Sequence, residues 1–456
     1  MADTDPTREA SAELRRTDRV RCRIGQRTGK VAVVTLSART RAAARLGLLT
    51  SSLSRKMGRG EGMVIGGRVI LRLAPDAIAE MAHDRVAALV SATNGKTSTT
   101  RLLATAVEQA GPVISQNTGA NMTSGVAVTL ASGDPAAQAV LEVDEAYLPA
   151  IFRATKPRVI ILGNLSRDQL DRMNEVAMIA RRWRDMLADA TDTTVVANAD
   201  DPSIVWAARH APHVTWVAAG QVWTADSAVC LDCGSLLQRD DSTWGCPNCG
   251  FARPTPTWTL EWVDDHGVVH GPHDQRFDLP LSLPGRFNAA NGAMALVATV
   301  ELGLDPAESA RRMATVESVS GRYAVVKVGE LTIRLLLAKN PAGWSELVDV
   351  MPPAPTPVIV TINSNAADGR DPSWLWDVPF ERLRGRVVVA TGDRRRDLAV
   401  RLLHAEVDHV VIEDPYAPGA ELPDGMRELA VVDCAATYTA FHHLRTSSDR
   451  QAARRS

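Results

Sequence analysis

Four cysteines stand as two CxxC pairs, Cys230 with Cys233 and Cys246 with Cys249, each pair followed by a glycine. Thiolates two apart on a tight turn face one ion, and two such turns complete the four-thiolate set of a structural zinc site with no open position for chemistry. Gly234 and Gly250 suit the tight turns of a zinc ribbon. Two disulfides are the competing reading. A second signature, TNGKT at 93–97, lies between the apolar run RVAALVSA and the helix-like STTRLLATAV. Gly95 lets backbone amides approach phosphate oxygens, Lys96 neutralises phosphate charge, and the Thr97 hydroxyl suits Mg2+, all at the positive end of the following helix. A full Walker loop has glycine where this chain has Val90. In LEVDEA, Glu142 and Glu145 stand at a strand end, where a carboxylate can hold Mg2+ or orient water; either alone is more often a surface acid.

The surroundings read as soluble and globular. At 456 residues, 45% hydrophobic and 23% charged, the chain exceeds a single ordinary core, so several domains are expected. No stretch approaches the roughly 20 apolar residues that span a bilayer, and MADTDP lacks a signal-peptide core, so the expected location is cytoplasmic. Cys22 and Cys434 are the only other cysteines, as a reducing compartment leads one to expect. Net charge is -2, yet residues 15–59 are strongly basic. Such a segment suits anionic lipid or nucleic acid, or is a solvated arm; no nucleic-acid partner is expected, and peripheral contact with the inner face of a membrane stays open.

Residues 1–30 read as a disordered basic arm and 446–456 as a tail. From residue 86, apolar runs of strand length at VLEV (140–143), RVIILGN (158–164) and TTVVAN (193–198) alternate with helical stretches. That alternation predicts an α/β domain over 31–314, its sheet parallel and its ligand at the carboxyl ends of the strands, with the zinc ribbon inserted at 222–262. A second α/β unit, Rossmann-like, is expected over 315–445, with strands at TPVIVTI (356–362), RVVVAT (386–391) and HVVI (409–412).

TNGKT, GNLSRDQLD (163–171), NADDP (198–202) and LPGRFNAAN (283–291) resemble, in that order, the successive motifs of the Mur ligase superfamily, ATP-dependent enzymes that join an amine to a carboxylate. The four-cysteine insert and the C-terminal ADGRDPSWLWD (367–377) narrow the resemblance to the MurT family, over roughly residues 50–445. It implies a Mur ligase-type P-loop ATPase domain and a subunit of lipid II isoglutaminyl synthase, which amidates the α-carboxyl of D-glutamate in the peptidoglycan stem peptide through an acyl phosphate. The implied cofactors are ATP, Mg2+ and Zn2+, and the implied partner is a GatD-type glutamine amidotransferase that supplies ammonia. Carried onto this chain, the resemblance puts Thr93, Asn94, Gly95, Lys96, Thr97 and Ser98 at the nucleotide phosphates. Glu142 or Glu145 becomes the metal carboxylate, and Asn288 and Asn291 lie near adenine; an Asn after Pro-Gly can equally cap the helix beginning there.

Departures from the pattern are Ala92 in place of glycine, Gln169 in place of histidine, and a phosphate signature too early to leave room for a uridine-nucleotide domain. Neither Cys22 nor Cys434 has the setting of a glutaminase nucleophile, so ammonia must come from elsewhere. In the MurT family the acidic loop lends an Asp to the partner's Cys-His triad. Asp371 is the first choice for that role and Asp368 the second, the alternative being acids that only turn the backbone. A folylpolyglutamate or other amino-acid ligase, and a non-catalytic ATP-binding scaffold, stay open.

Overall fold

The computed structural model describes residues 36–57, 62–116, 119–167, 176–240, 242–319 and 323–453. The arm expected over 1–30, Cys22, and residues 168–171 of GNLSRDQLD, Gln169 among them, lie outside them. Three short helices open the described chain: α1 (Ala38–Lys56), α2 (Met63–Leu73) and α3 (Ala77–Ala82). They cross closely because glycines meet: a Cβ on Gly47 would sit 2.4 Å from Ile70, and one on Gly67 would sit 2.0 Å from the carbonyl oxygen of Ser124.

The apolar run after them forms β1 (Val86–Ser91), buried along its whole length, and leads through the phosphate loop into α4 (Lys96–Val107). There follow β2 (Val113–Ile114), α5 (Thr123–Ser132), β3 (Gln138–Glu142), α6 (Leu148–Thr155), β4 (Val159–Leu162), α7 (Val176–Leu187), β5 (Thr194–Asn198), α8 (Pro202–Ala208) and β6 (Val214–Ala218). After the cysteine segment, whose hairpin is β7 (Gln238–Arg239) and β8 (Trp244–Gly245), come β9 (Trp258–Val263), β10 (His266–His270) and β11 (Arg276–Leu279). Among the described residues the first sheet has nine strands in the order β11-β10-β9-β6-β5-β4-β1-β3-β2. Its β2-to-β6 part is parallel, as the α/β alternation predicts, and β9 to β11 add an antiparallel edge. Trp258–Val263 thus pairs with β6 in this sheet, although it falls within the 222–262 span expected for the ribbon. Strand β1 lies between β3 and β4, so the chain leaves it on both sides and a crevice opens beyond its carboxyl end.

Helices α9 (Arg286–Glu301) and α10 (Pro306–Ala314) complete the first unit. The second contains β12 (Tyr323–Val328), β13 (Leu331–Leu337), α11 (Pro341–Val350), β14 (Val358–Thr361), β15 (Val388–Thr391), α12 (Arg395–His404), β16 (His409–Val411), β17 (Val432–Ala436) and α13 (Tyr438–Ala453). Its six-stranded sheet runs β12-β13-β17-β14-β15-β16, parallel except for the β12–β13 hairpin.

Candidate active site

Gly95 has φ +81 at the mouth of α4, and a Cβ there would lie 2.3 Å from Asn291 Oδ1, so the loop closes only with glycine. The rest of the loop is tied to the GNLS segment after β4. The Asn94 N–H donates to Asn164 Oδ1 at 2.9 Å, Asn164 Nδ2 donates to the Asn94 carbonyl at 3.0 Å, and the Ser166 N–H donates to Thr93 Oγ1 at 3.0 Å. That segment is held in turn by the NADDP motif. Asp201, fully buried, accepts from the Leu165 N–H through one oxygen and from the Ser203 and Ile204 N–H groups through the other. Burial pushes its carboxyl up to about 6 against those three donors.

Lys96 is buried and donates to Glu145 Oε2 at 3.0 Å and to the carbonyls of Ala92 and Thr93. Thr97 and Ser98 are buried beside it on the first turn of α4. Glu142, aligned with Val90 across the β1–β3 pairing, is also buried. Its Oε1 accepts from Asn121 Nδ2 at 3.1 Å, whereas Oε2 has no hydrogen-bond partner among the described residues. A buried carboxylate oxygen without a donor is costly, and a divalent cation would satisfy it. Glu145 is already engaged with Lys96, so the structure separates the two acids that the sequence left as alternatives. Between them Asp144 is raised above the usual carboxylate range by burial and by Glu145, with Lys96 and Lys339 opposing.

A cleft of about 350 Å3 opens from this loop across the carboxyl ends of β1, β4 and β5. Trp223, Trp262, Arg286 and Phe287 line its far side, and Arg286 lies over the Trp262 ring at 5.4 Å. Asn291 faces this cleft. Asn288 faces a smaller one of about 70 Å3 towards the second unit, with its amide donating to the Pro284 carbonyl at 2.7 Å. Glu346 of α11 lines both, so the second unit contributes directly to the site. Burial, with Asp349 adding to it, pushes the Glu346 carboxyl up to about 8.

The four cysteine sulfurs all lie within 4.8 Å of one another, and none is in a disulfide. Gly234 and Gly250 have φ +77 and +75, and each donates its N–H back to the carbonyl of the first cysteine of its pair, as the CxxCG pattern predicts. Asn248 and Ser235 bring Cys233 down to about 6. Against the Phe251 N–H, burial and the other three sulfurs push Cys249 up to about 12. Four sulfurs gathered so closely offer the donor set of a structural zinc site, whose ion would draw off their protons. The ribbon braces the cleft. Trp244 Nε1 donates to the Ala199 carbonyl at 3.1 Å, Arg253 pairs with Asp200 at 2.6 Å, and Arg239 donates to Gln221 and Ser227 on the loop that carries Trp223.

In the acidic loop the two candidate acids differ in setting. Asp368 is 1% exposed and accepts from the Thr439 N–H, the Thr439 hydroxyl and the Asn365 N–H, which clamps the loop to α13. Asp371 is exposed and, among the described residues, accepts only from the Ser373 N–H at 2.9 Å. Trp374 is buried against Trp344, while Trp376 is 54% exposed, and Asp377 lies 3.6 Å from Arg167 of the first unit.

Residues 90–233 match the Mur ligase middle domain, and residues 337–441 match the MurT ligase C-terminal domain. The first unit thus carries the match to the Mur ligase middle domain, and the second the match to the MurT C-terminal domain. The chain is 29% identical over 406 residues to the protein named lipid II isoglutaminyl synthase (glutamine-hydrolyzing) subunit MurT of Staphylococcus aureus strain N315, covering 83% of this chain and 91% of that one. It is 28% identical over 372 residues to the protein of the same name from Streptococcus pneumoniae strain R6, covering 75% and 82%. Among solved structures, a pseudomurein peptide ligase type C from Methanothermus fervidus shares the fold, with a TM-score of 0.62 at 16% identity over 84% of this chain and 83% of that one.

Several residues of this cleft have no individual role that the sequence alone displays. Asn164 and Ser166 lie within a quoted motif, and their value appears only once the loops pair. Trp223, Trp262, Lys339 and Glu346 belong to no motif that a single sequence displays.

Proposed function

We propose that the chain is the synthetase subunit of a lipid II isoglutaminyl synthase, converting the D-glutamate α-carboxyl of the lipid II stem peptide to D-isoglutamine with ATP, and with ammonia from a GatD-type glutamine amidotransferase. The observation that carries the reading is the joining, in one chain, of a phosphate loop beside an orphaned carboxylate oxygen to a MurT-type domain that displays Asp371 outward.

The chemistry runs in two steps. A carboxylate oxygen of the substrate attacks the γ-phosphorus of ATP, the bond to the β-phosphate oxygen breaks, and an acyl phosphate and ADP result. The ammonia lone pair then attacks the acyl carbon, the carbon–oxygen bond to phosphate breaks, and the nitrogen loses a proton to leave the amide. Lys96 meets the phosphoryl charge on moving from Glu145, and the Asn94 and Gly95 backbone borders the phosphates at the α4 N-terminus. Glu142 and Thr97 would hold Mg2+, which would supply further charge neutralisation on the phosphate oxygens. Trp223, Trp262 and Phe287 offer apolar faces for the adenine. Zinc in the ribbon acts on structure alone, and Asp371 orients a histidine of the partner.

The test is mass analysis of lipid II after incubation with ATP and glutamine, with and without a co-expressed glutaminase. The reading expects acid to become amide only in the complex, or with ammonium salt in place of glutamine. Addition of an amino-acid mass would mean an amino-acid ligase instead, and ATP bound without any ADP formed would mean a scaffold.

A further inference from the structure

Helix α1 is inside out for a surface helix. The residues it buries are all small or short, namely Thr40, Ala43, Ala44, Gly47, Ser51 and Ser54. Leu48 packs partly on the core, but Leu46, Leu49 and Leu53, with Met57 at the C-cap, face solvent, being 50%, 67%, 57% and 54% exposed. At a spacing of three and four residues these four form one stripe, which the helical rise makes about 16 Å long. On α2, Val64 and Ile65 are exposed at 46% and 44%. The cations Arg41, Arg45 and Lys56 of α1 and Arg68 and Arg72 of α2 are exposed on the same two helices, and neither helix carries an acid.

We infer that this α1–α2 face docks on an anionic lipid bilayer, with the leucine stripe entering the interface and the cations meeting headgroup phosphates. A helix with an apolar stripe flanked by Arg and Lys is the chemistry that lies in a membrane surface. Charge argues against a second copy of the chain, because pairing this face with itself opposes two acid-free sets of cations. The leucines argue against nucleic acid, which offers them nothing to bury against. The place of the face in the fold supports the same occupant. Gly67 of α2 packs directly on Ser124 at the start of α5, and Asn121, just ahead of that helix, holds Glu142. The α1–α2 pair is therefore packed on the helix that follows Asn121, so a lipid-linked substrate would arrive on the side of the molecule that carries Glu142. That last step rests on the lipid-linked substrate proposed above; the docking itself does not.

The test uses the full chain and vesicles without lipid II, made either of phosphatidylglycerol with phosphatidylcholine or of phosphatidylcholine alone. The protein should co-sediment with the anionic vesicles and be weakened by salt. Leu49→Asp with Leu53→Asp, and separately Arg45→Glu with Lys56→Glu, should each lower partition about tenfold, with the melting temperature unchanged because all four side chains are exposed. Undiminished partition in both pairs overturns the inference, as does equal retention on phosphatidylcholine alone. A fall in oligomeric mass on Leu49→Asp with Leu53→Asp makes the face a protein interface, and duplex DNA competing away the vesicles makes it a nucleic-acid site; either outcome also overturns it. Lipid II added to the anionic vesicles and left unamidated by the wild-type complex removes the functional reading while leaving the docking result standing.

Discussion

Lys96 carries two burdens that one substitution exposes together. It is the cation at the phosphate loop, and it is also the partner of buried Glu145. Lys96→Ala should lower amidation by on the order of 10³, from lost charge compensation at the transferring phosphoryl group, and should leave glutamine hydrolysis by the partner largely intact. It should also cost about 3 kcal/mol of stability by stranding Glu145, so Lys96→Ala with Glu145→Gln should recover stability and none of the amidation, measured by chemical unfolding and ADP release. Glu346 makes a pH-dependent prediction. Its ordinary value is 4.5 and its folded value about 8, so the native chain holds a proton that the unfolded chain releases between those limits. The carboxyl's contribution is therefore intact below pH ~4.5 and declines as pH rises to ~8. Because the group borders an open cleft, the full shift is discounted: Glu346→Gln should gain ~2 kcal/mol over wild type at pH 8 and nothing at pH 4, read from urea midpoints. An equal gain at both pH values would show that ionisation is not the cause. The loop residues and the four cysteines were legible because their chemistry is local to five or twenty positions. Glu346 was not, since a lone Glu on an amphipathic helix carries no sign that another domain's cleft will cover it.

At the scale of elements, strands β1, β3, β4, β5, β14 and β15 were readable as apolar runs because they are covered on both faces, or nearly so, and β16 reads as an apolar run too although it is an edge strand with Val410 and Val411 exposed. The antiparallel edge was not. In β9 burial alternates and the run follows the second knuckle within a few residues, so periodicity does not separate it from the ribbon. That boundary matters for what the ribbon does. Trp244 of its β7–β8 hairpin and Arg253 after it hold NADDP, and Arg239 of the hairpin holds the loop bearing Trp223. Metal analysis of the purified chain should return zinc. Its removal by a chelator, or Cys233→Ser with Cys249→Ser at the two exposed ligands, should cost on the order of 5 kcal/mol. The same change should weaken nucleotide binding several-fold by freeing the cleft rim, which titration with ADP would measure. Loss of stability with nucleotide affinity untouched would confine the ribbon to holding its own fold.

For the whole molecule, the question is how a cleft in one chain and a glutaminase in another act together. Asp368 and Asp371 stand three apart, and sequence alone could only rank them. The fold divides them by burial: Asp368 anchors the loop to α13, whereas Asp371 is exposed on the same loop as exposed Trp376, which offers a partner an apolar anchor. An Asp that completes another chain's triad must be displayed, so Asp371→Asn should impair glutamine hydrolysis in the purified complex. A neutral amide at the orienting position costs on the order of 10⁴ in a serine protease triad, and a thiolate nucleophile depends less on its base, so a fall of about 10²-fold is expected. Free ammonium should restore amidation, because the phosphate loop and Glu142 are untouched. Asp368→Asn tests the other role. It puts an amide where three donors converge, so it should loosen the loop, weaken association of the two subunits and lose glutaminase activity only in proportion to dissociation. Activity lost at Asp368 in an intact complex would exchange the two roles, and activity retained by both variants in an intact complex would remove the shared triad altogether.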